Sequence, residues 1–120
     1  MDVVEEFYGQ HDVCYRGTEI KFHVELACSG FDMDTDDWDL KMSCGKKTVT
    51  IEKRGEYAEG DELPEGLAVE DGEWYVYIDT SQMPEGLLKV VAKAYVVDKN
   101  ASGGIREEVD KQTLCHLCNP

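Results

Sequence analysis

Hydrophobic and polar residues alternate with a period of two along most of the chain, which is the pattern of strands with one buried face. Ile20, Phe22, Val24 and Leu26 fall on one face of the first long segment, with polar residues between them. The last such segment, 105–114, carries few apolar residues, and its alternation points Ile105 and Val109 inward. The pattern predicts strands at 3–8, 18–28, 38–44, 48–53, 67–70, 74–78, 87–97 and 105–114, with 3–8 and 105–114 as edges.

Turn chemistry separates these segments, and no helical stripe of useful length interrupts them. Asp71-Gly72 is a tight-hairpin pair, and the stretch 54–66, rich in glycine and acidic residues, predicts a long solvated connection. Trp38 lies where immunoglobulin-like sandwiches often bury a tryptophan, but no partner for a Cys28 bridge exists in the sixth strand. The fold class predicted is therefore all-β: an immunoglobulin-like antiparallel β-sandwich of seven or eight strands, outside the antibody family.

The length of 120 residues predicts one domain over 1–120. Its core is expected over about 17–114, and residues 115–120 are expected to form a flexible tail, because chain ends fray.

The net negative charge of the chain excludes some classes of binding partner. The chain has 26 Asp and Glu against 12 Lys and Arg, a formal net charge of −14. Such a field repels phosphate backbones and anionic lipid, so neither nucleic acid nor membrane is expected as a partner. A protein partner is expected instead, either a second copy or a protein with a basic surface. The N-terminal residues lack the pattern of a signal peptide, so synthesis in the cytoplasm is expected, with later incorporation in a virion or particle left open.

The acidic stretch 31–39 predicts a calcium site of a kind other than an EF-hand. Asp32, Asp34 and Asp36 alternate as in an EF-hand loop, but Asp37 stands where that loop needs glycine. In an immunoglobulin-like topology Asp98 would lie at the same pole and complete a set of hard oxygen ligands. The alternative is a solvated turn whose side chains bond local amides. Apart from a bound metal ion, no cofactor is expected.

A zinc site is a second metal hypothesis. Cys115 and Cys118 have the two-residue spacing of a zinc-binding pair, and His11 with Cys14 is the one other close pair. The alternative is that all the cysteines are free thiols, as in a reducing compartment.

The aromatic run Trp74, Tyr75 and Tyr77 is the candidate binding surface, for a sugar or a protein. Alternation sends part of this run into the core, so the alternative is ordinary packing. No Ser-His-Asp set, phosphate-cradling glycine loop or nucleophile elbow is present, and the chain is predicted not to be an enzyme.

Several short segments carry a family resemblance. They are residues 17–22 (GTEIKF), 31–38 (FDMDTDDW), 79–81 (DTS), 86–90 (GLLKV) and 94–98 (AYVVD). Together they resemble small β-sandwich proteins encoded by prophages and mobile elements of gut bacteria, and they are more distantly similar to the N-terminal domain of phage baseplate proteins. The resemblance covers about 17–110. It implies an immunoglobulin-like fold and a structural, particle-associated role, and it implies no catalytic residues.

The function expected from these observations is that of a structural, protein-interaction module, as a component of the baseplate or tail of a phage-like particle. The alternative is a calcium- or carbohydrate-binding module of the same fold.

Overall fold

The computed structural model describes residues 2–4 and 13–120, and this part of the chain is built almost wholly of β-strands. The strands are β1 (Asp2–Val4), β2 (Val13–Tyr15), β3 (Glu19–Ala27), β4 (Trp38–Cys44), β5 (Lys47–Lys53), β6 (Leu67–Glu70), β7 (Glu73–Asp79), β8 (Gly86–Val97) and β9 (Ile105–Cys118). The all-β prediction is confirmed. The described residues hold nine strands rather than seven or eight, because β2 is too short to give a period-two signal. Residues 5–8 of the first predicted strand lie outside the described residues.

The strands form two sheets. One has the order β1-β3-β7-β6, and the other has the order β2-β9-β8-β4-β5. The long strands β3 and β8 are interior, as their length and apolar alternation favour. The pairing is antiparallel except that β2 runs parallel to the end of β9, with Cys14 opposite Leu117. The prediction of a purely antiparallel sandwich is wrong at that one pair.

Both sheets contribute their inner faces to one hydrophobic core. Phe22 from β3 and Leu40 from β4 are each about 1% exposed, and Trp38 is fully buried. Burial of a side chain of this size is worth about 1.5–3 kcal/mol. The described cysteines are free thiols, so packing and not a bridge holds the sheets together.

A bulge near the end of β9 reverses which residues face the core. Leu88 pairs with Cys115 but Lys89 pairs with Thr113, so Leu114 is an extra residue on β9. The inward positions change there from even to odd numbers. Ile105 and Val109 are consequently 46% and 50% exposed, and their predicted inward orientation is wrong.

The prediction of a flexible tail is wrong for residues 115–118. Residues 115–118 belong to β9 rather than to a tail, and Cys115 and Leu117 are buried in the core. The parallel pairing with β2 gives these residues backbone partners on a second side. β2 pairs with residues 116–118, which lie beyond the predicted edge at 105–114.

The two sides of the sandwich differ in how they close. On one side β9 of one sheet contacts β1 of the other. On the other side the edges are β5 and β6, which face each other across a gap near Gly66 and Ile51. A Cβ added to Gly66 would lie 3.3 Å from the Ile51 side chain and 3.1 Å from the carbonyl oxygen of Tyr77, so the backbone approach there needs glycine.

Candidate functional site

The acidic loop between β3 and β4 is organised around a buried lysine. Val49, Ile51 and Lys53 occupy the inward positions of β5, and Lys53 is only 2% exposed. Its Nζ donates hydrogen bonds to the carbonyl oxygens of Asp34 (2.9 Å), Asp36 (2.9 Å) and Gly55 (2.5 Å). An ammonium group with three donors is thereby matched by three acceptors.

The electrostatics of Lys53 reflect that position. Burial lowers the pKa of its ammonium, and the carboxylates of Asp37, Asp34, Asp36 and Asp32 act in the opposite direction. The carbonyl dipoles and the surrounding negative charge stabilise the protonated form in a desolvated place. Lys53 therefore places a buried positive charge inside the loop, against three backbone carbonyl oxygens.

The predicted calcium ligands of this loop bond within the protein. Asp32 Oδ1 accepts from the backbone N–H of Asp34 (2.8 Å), and Asp36 Oδ2 accepts from that of Asp32 (3.0 Å). Asp34 Oδ1 accepts from the indole Nε1 of Trp74 (2.7 Å). These bonds match the alternative reading, in which the loop satisfies its own amides.

Asp98 lies at the same end of the molecule as this loop, as predicted, but its carboxylate bonds to other residues. Its Oδ1 accepts from the backbone N–H of Asn100 (3.0 Å) and its Oδ2 from Arg106 Nε (3.2 Å). Arg106 also donates to the carbonyl oxygen of Ser29 (3.2 Å) and so links the two loops. Within residues 2–4 and 13–120, no three His, Cys, Asp or Glu side chains are grouped so as to hold a metal ion.

The predicted zinc pair does not converge. Cys115 and Cys118 lie three residues apart on β9, where successive side chains point to opposite faces. Cys115 is buried in the core, and Cys118 is half-buried on the other face. Cys14 lies opposite Leu117, while His11 is outside the described residues.

The aromatic run divides between the two faces of β7. Trp74 is 3% exposed and makes edge-to-face contacts with Trp38 and Tyr57, with ring centroids 5.2 Å apart in each pair. Its assignment to a binding surface is therefore wrong, because alternation turns it into the core. Tyr75 and Tyr77 are half-buried on the outer face of the four-stranded sheet.

A lysine covers the two outward rings. Lys21 Nζ lies 4.3 Å from the Tyr75 ring centroid and 5.5 Å from that of Tyr77, and it is 2.6 Å from Glu70 Oε2. Tyr77 also donates to Glu70, whose pKa is lowered by its bonds to Lys21 and Tyr77. Desolvation and the nearby Glu73 raise the pKa of Tyr75. The ring faces are thus occupied by an internal cation–π cluster rather than presented as a flat platform.

A second polar cluster lies on the outer face of the five-stranded sheet. The Tyr95 hydroxyl donates to Asp39 Oδ2 (2.7 Å), and Arg54 NH1 is 2.6 Å from Asp39 Oδ1. The hydrogen bond to Asp39, aided by burial, raises the pKa of Tyr95 to about 12. The bond to Asp39 likewise raises the pKa of Arg54.

An acidic groove opens between the facing edges of β5 and β6. Its volume is about 740 Å³, and its apolar wall includes Ile51, Leu67 and Met83. The charged residues that line it are Glu19, Lys47, Glu52, Glu65 and Asp79. A smaller cavity of about 390 Å³ continues along the 54–66 loop and shares Glu52 and Pro64 with the groove. We call the larger cavity the β5–β6 groove.

Positive charge collects on one face of this acidic molecule. The outer side of β4, β8 and β9 forms a surface that we call the lysine face, and its lysine and apolar residues are Lys41, Leu87, Lys89, Val91, Lys93, Val97, Ile105, Val109 and Lys111. The same side also carries Asp39, Tyr95 and Glu107. Val97 lies directly opposite Ile105, and Lys93 lies opposite Val109. Val97 is 70% exposed and Leu87 is 50% exposed.

Two of these features escaped the sequence analysis for different reasons. Lys53 had a local signal, since it continues the inward series Val49 and Ile51 on β5. The groove had none, because its walls come from strands whose proximity only the tertiary fold determines. Comparisons with protein-family models, with curated proteins and with solved structures find no match. Among the described residues, no helix has the length and apolar character needed to cross a membrane.

Proposed function

We propose that this protein is a non-enzymatic module of immunoglobulin-like topology that works by contact with another protein, as a component of a phage-like particle. The observation that carries the proposal is the lysine face. Three apolar side chains of this face are exposed to solvent: Val97 is 70% exposed, Val109 is 50% exposed and Ile105 is 46% exposed. Apolar side chains that adjoin one another on a surface are typical of protein interaction sites.

The charge of this face supports the same conclusion. Lys41, Lys89, Lys93 and Lys111 are four of the 12 Lys and Arg in the chain. The acidic groups beside these lysines already have cationic neighbours. Asp39 forms an ion pair with Arg54, and a carboxylate oxygen of Glu107 lies 3.8 Å from Lys93 Nζ. A cationic and apolar face on a molecule of net charge −14 favours a defined orientation of docking.

The alternative, a calcium- or carbohydrate-binding module, has less support. Lys53 supplies the cation of the acidic loop, and Lys21 lies over the rings that a sugar would stack on.

Site-specific photo-crosslinking tests the proposal. A photoreactive phenylalanine analogue at position 97 should give one discrete adduct with a protein in the cell that produces this chain. The same analogue at position 25, an exposed position of β3 in the other sheet, is the matched control and should give none. Ile105→Asp, opposite position 97 on β9, should abolish the adduct without changing the melting temperature.

Equal crosslinking at positions 97 and 25, or an adduct that survives Ile105→Asp, would contradict the proposal. An adduct of twice the monomer mass identifies the protein partner as a second copy.

A further inference from the structure

The outer edge of β5 presents unpaired backbone groups. The backbone N–H of Tyr95 on β8 donates to the carbonyl oxygen of Asp37, the residue just before β4. The odd-numbered residues of β4 therefore direct their backbone groups to β8. The even-numbered residues of β4 therefore bond to β5, and their partners there are Lys47, Val49, Ile51 and Lys53. By alternation, the N–H and C=O groups of Thr48, Thr50 and Glu52 point away from β4. β5 is the last strand of its sheet, so these groups face the β5–β6 groove and solvent.

The facing edge is less available. Tyr77 donates from its backbone N–H to the carbonyl oxygen of Gly66, and Leu67 donates to that of Pro64. Val69 is the residue of β6 whose backbone N–H and C=O both remain directed outward. A strand entering the groove would thus pair mainly with β5, along up to seven residues or about 23 Å at about 3.3 Å per residue.

The charge around the edge defines what would fit. Glu19, Glu52, Glu65 and Asp79 line the groove against the single cation Lys47. Glu52 accepts from Arg54 (3.0 Å), and Asp79 accepts from the Ser81 backbone N–H, while both remain exposed. The adjoining 54–66 loop adds further carboxylates, namely Glu56, Glu59, Asp61 and Glu62. A groove bordered in this way concentrates cations.

We infer that the β5–β6 groove binds an extended, basic segment of a partner protein by strand addition to β5. This inference rests on the proposed function and names the chemistry of a partner. The added strand would hydrogen-bond to Thr48, Thr50 and Glu52, and alternate apolar side chains would contact Ile51, Leu67 and Met83. The intervening lysine or arginine side chains would face Glu52 and the rim carboxylates. Backbone bonds supply affinity, and the alternation of apolar and basic residues supplies specificity.

The probe is an eight-residue peptide in which lysine alternates with valine, titrated into the full chain by calorimetry. Thr50→Pro removes the one N–H at the centre of the open edge, and proline is tolerated at edge positions whose N–H faces solvent. It should weaken binding by about tenfold or more, because a pairing bond is lost and the ring blocks close approach. Thr50→Val keeps the N–H and should bind as the wild type does.

Two further arms separate charge from strand pairing. A peptide of the same pattern with glutamate in place of lysine should not bind, and the lysine peptide should bind more weakly as salt rises from ~0.05 M to ~0.5 M. A lysine–valine peptide with proline at its centre should lose binding on the unmodified protein, which avoids any question about the folding of Thr50→Pro.

Absence of binding by the lysine–valine peptide, equal affinity of Thr50→Pro and Thr50→Val, or binding of the proline-containing peptide would each overturn strand addition. If the chain self-associates and Thr50→Pro abolishes this self-association, the occupant of the groove is a second copy. That result would overturn the inference that a basic segment of a partner protein binds there. Crosslinking at position 97 involves a different surface. Its success with a negative peptide result would reject this inference alone, whereas its failure would reject the proposed function.

Discussion

Two acidic regions of this molecule differ in whether other groups of the same chain bond to them. In the loop between β3 and β4, carbonyl oxygens of Asp34 and Asp36 turn inward onto Lys53, and the carboxylate of Asp34 bonds to the Trp74 indole. Along the β5–β6 groove, Glu19 and Glu65 point outward beside a strand edge that lacks a neighbour. The first region bonds to a lysine of its own chain. The second borders a strand edge that has no neighbouring strand within the described residues.

The difference teaches that the number of acidic residues does not identify a ligand site. What matters is whether the chain already supplies the compensating charge and hydrogen-bond donors. Lys53 does so at the pole, because alternation along β5 carries its side chain between the sheets. No strand does so for the outer edge of β5 within the described part of the chain.

Loss of the internal cation should have the largest effect. Lys53→Met keeps much of the side-chain volume but leaves the carbonyl oxygens of Asp34, Asp36 and Gly55 without their donor. We expect a loss of about 3–5 kcal/mol in the free energy of unfolding, measured by urea denaturation. Lys47→Met, at the exposed start of the same strand, is the control and should change stability by no more than about 0.5 kcal/mol. Equal effects of the two substitutions would mean that the loop does not depend on Lys53.

Removal of the carboxylate at position 34 should have an intermediate effect. Asp34→Ala leaves the indole N–H of the buried Trp74 without its acceptor at 2.7 Å. The expected cost is about 1–3 kcal/mol in the same urea measurement. Glu59→Ala, which removes an exposed carboxylate from the 54–66 loop, should be nearly neutral. If the two substitutions cost the same, the contrast between the closed and the open acidic regions fails.

The Tyr95–Asp39 pair makes stability depend on pH in the alkaline range. The folded-state pKa of Tyr95 is about 12, above the roughly 10 of an unfolded tyrosine. The folded state therefore holds this proton more tightly, so its contribution is complete below pH of about 10 and is lost as pH rises through about 12. Tyr95→Phe should flatten the decline of the urea midpoint across that window. A decline of unchanged slope in the variant would show that the Asp39 bond does not hold the proton.

Calcium should have the smallest effect. Because Lys53 already supplies the positive charge of the loop, millimolar calcium should leave the melting temperature unchanged in differential scanning fluorimetry. Magnesium at the same concentration controls for ionic strength. A rise in melting temperature specific to calcium would restore the metal site predicted from Asp32, Asp34, Asp36 and Asp98.

Local alternation predicted much of this fold, and non-local contacts account for what it missed. The apolar series from Ile20 to Leu26 marked β3 because each residue reports its own face. The bulge at Leu114 reversed the phase of β9, and nothing local distinguishes that residue from its neighbours. The orientation of Ile105 and Val109 was mispredicted for this reason, and with it the lysine face was missed.

The candidate sites show the same division. Trp74 could have been assigned to the core from its phase on β7, opposite to that of Tyr75 and Tyr77. Cys115 and Cys118 appeared to be a metal pair only while the end of the chain was taken as an irregular tail. Strand formation separates them, since a strand turns residues three apart to opposite faces.

Native-state amide hydrogen exchange tests the contrast between the two regions most directly. The loop amides of Asp36 and Tyr57 bond to the carbonyl oxygens of Asp32 (2.9 Å) and Asp34 (2.7 Å), whereas those of Thr48, Thr50 and Glu52 face the open edge. We predict that the two loop amides exchange at least about tenfold more slowly than these three strand amides. Protection of Thr48, Thr50 and Glu52 as strong as that of Val49 and Ile51 would contradict the account.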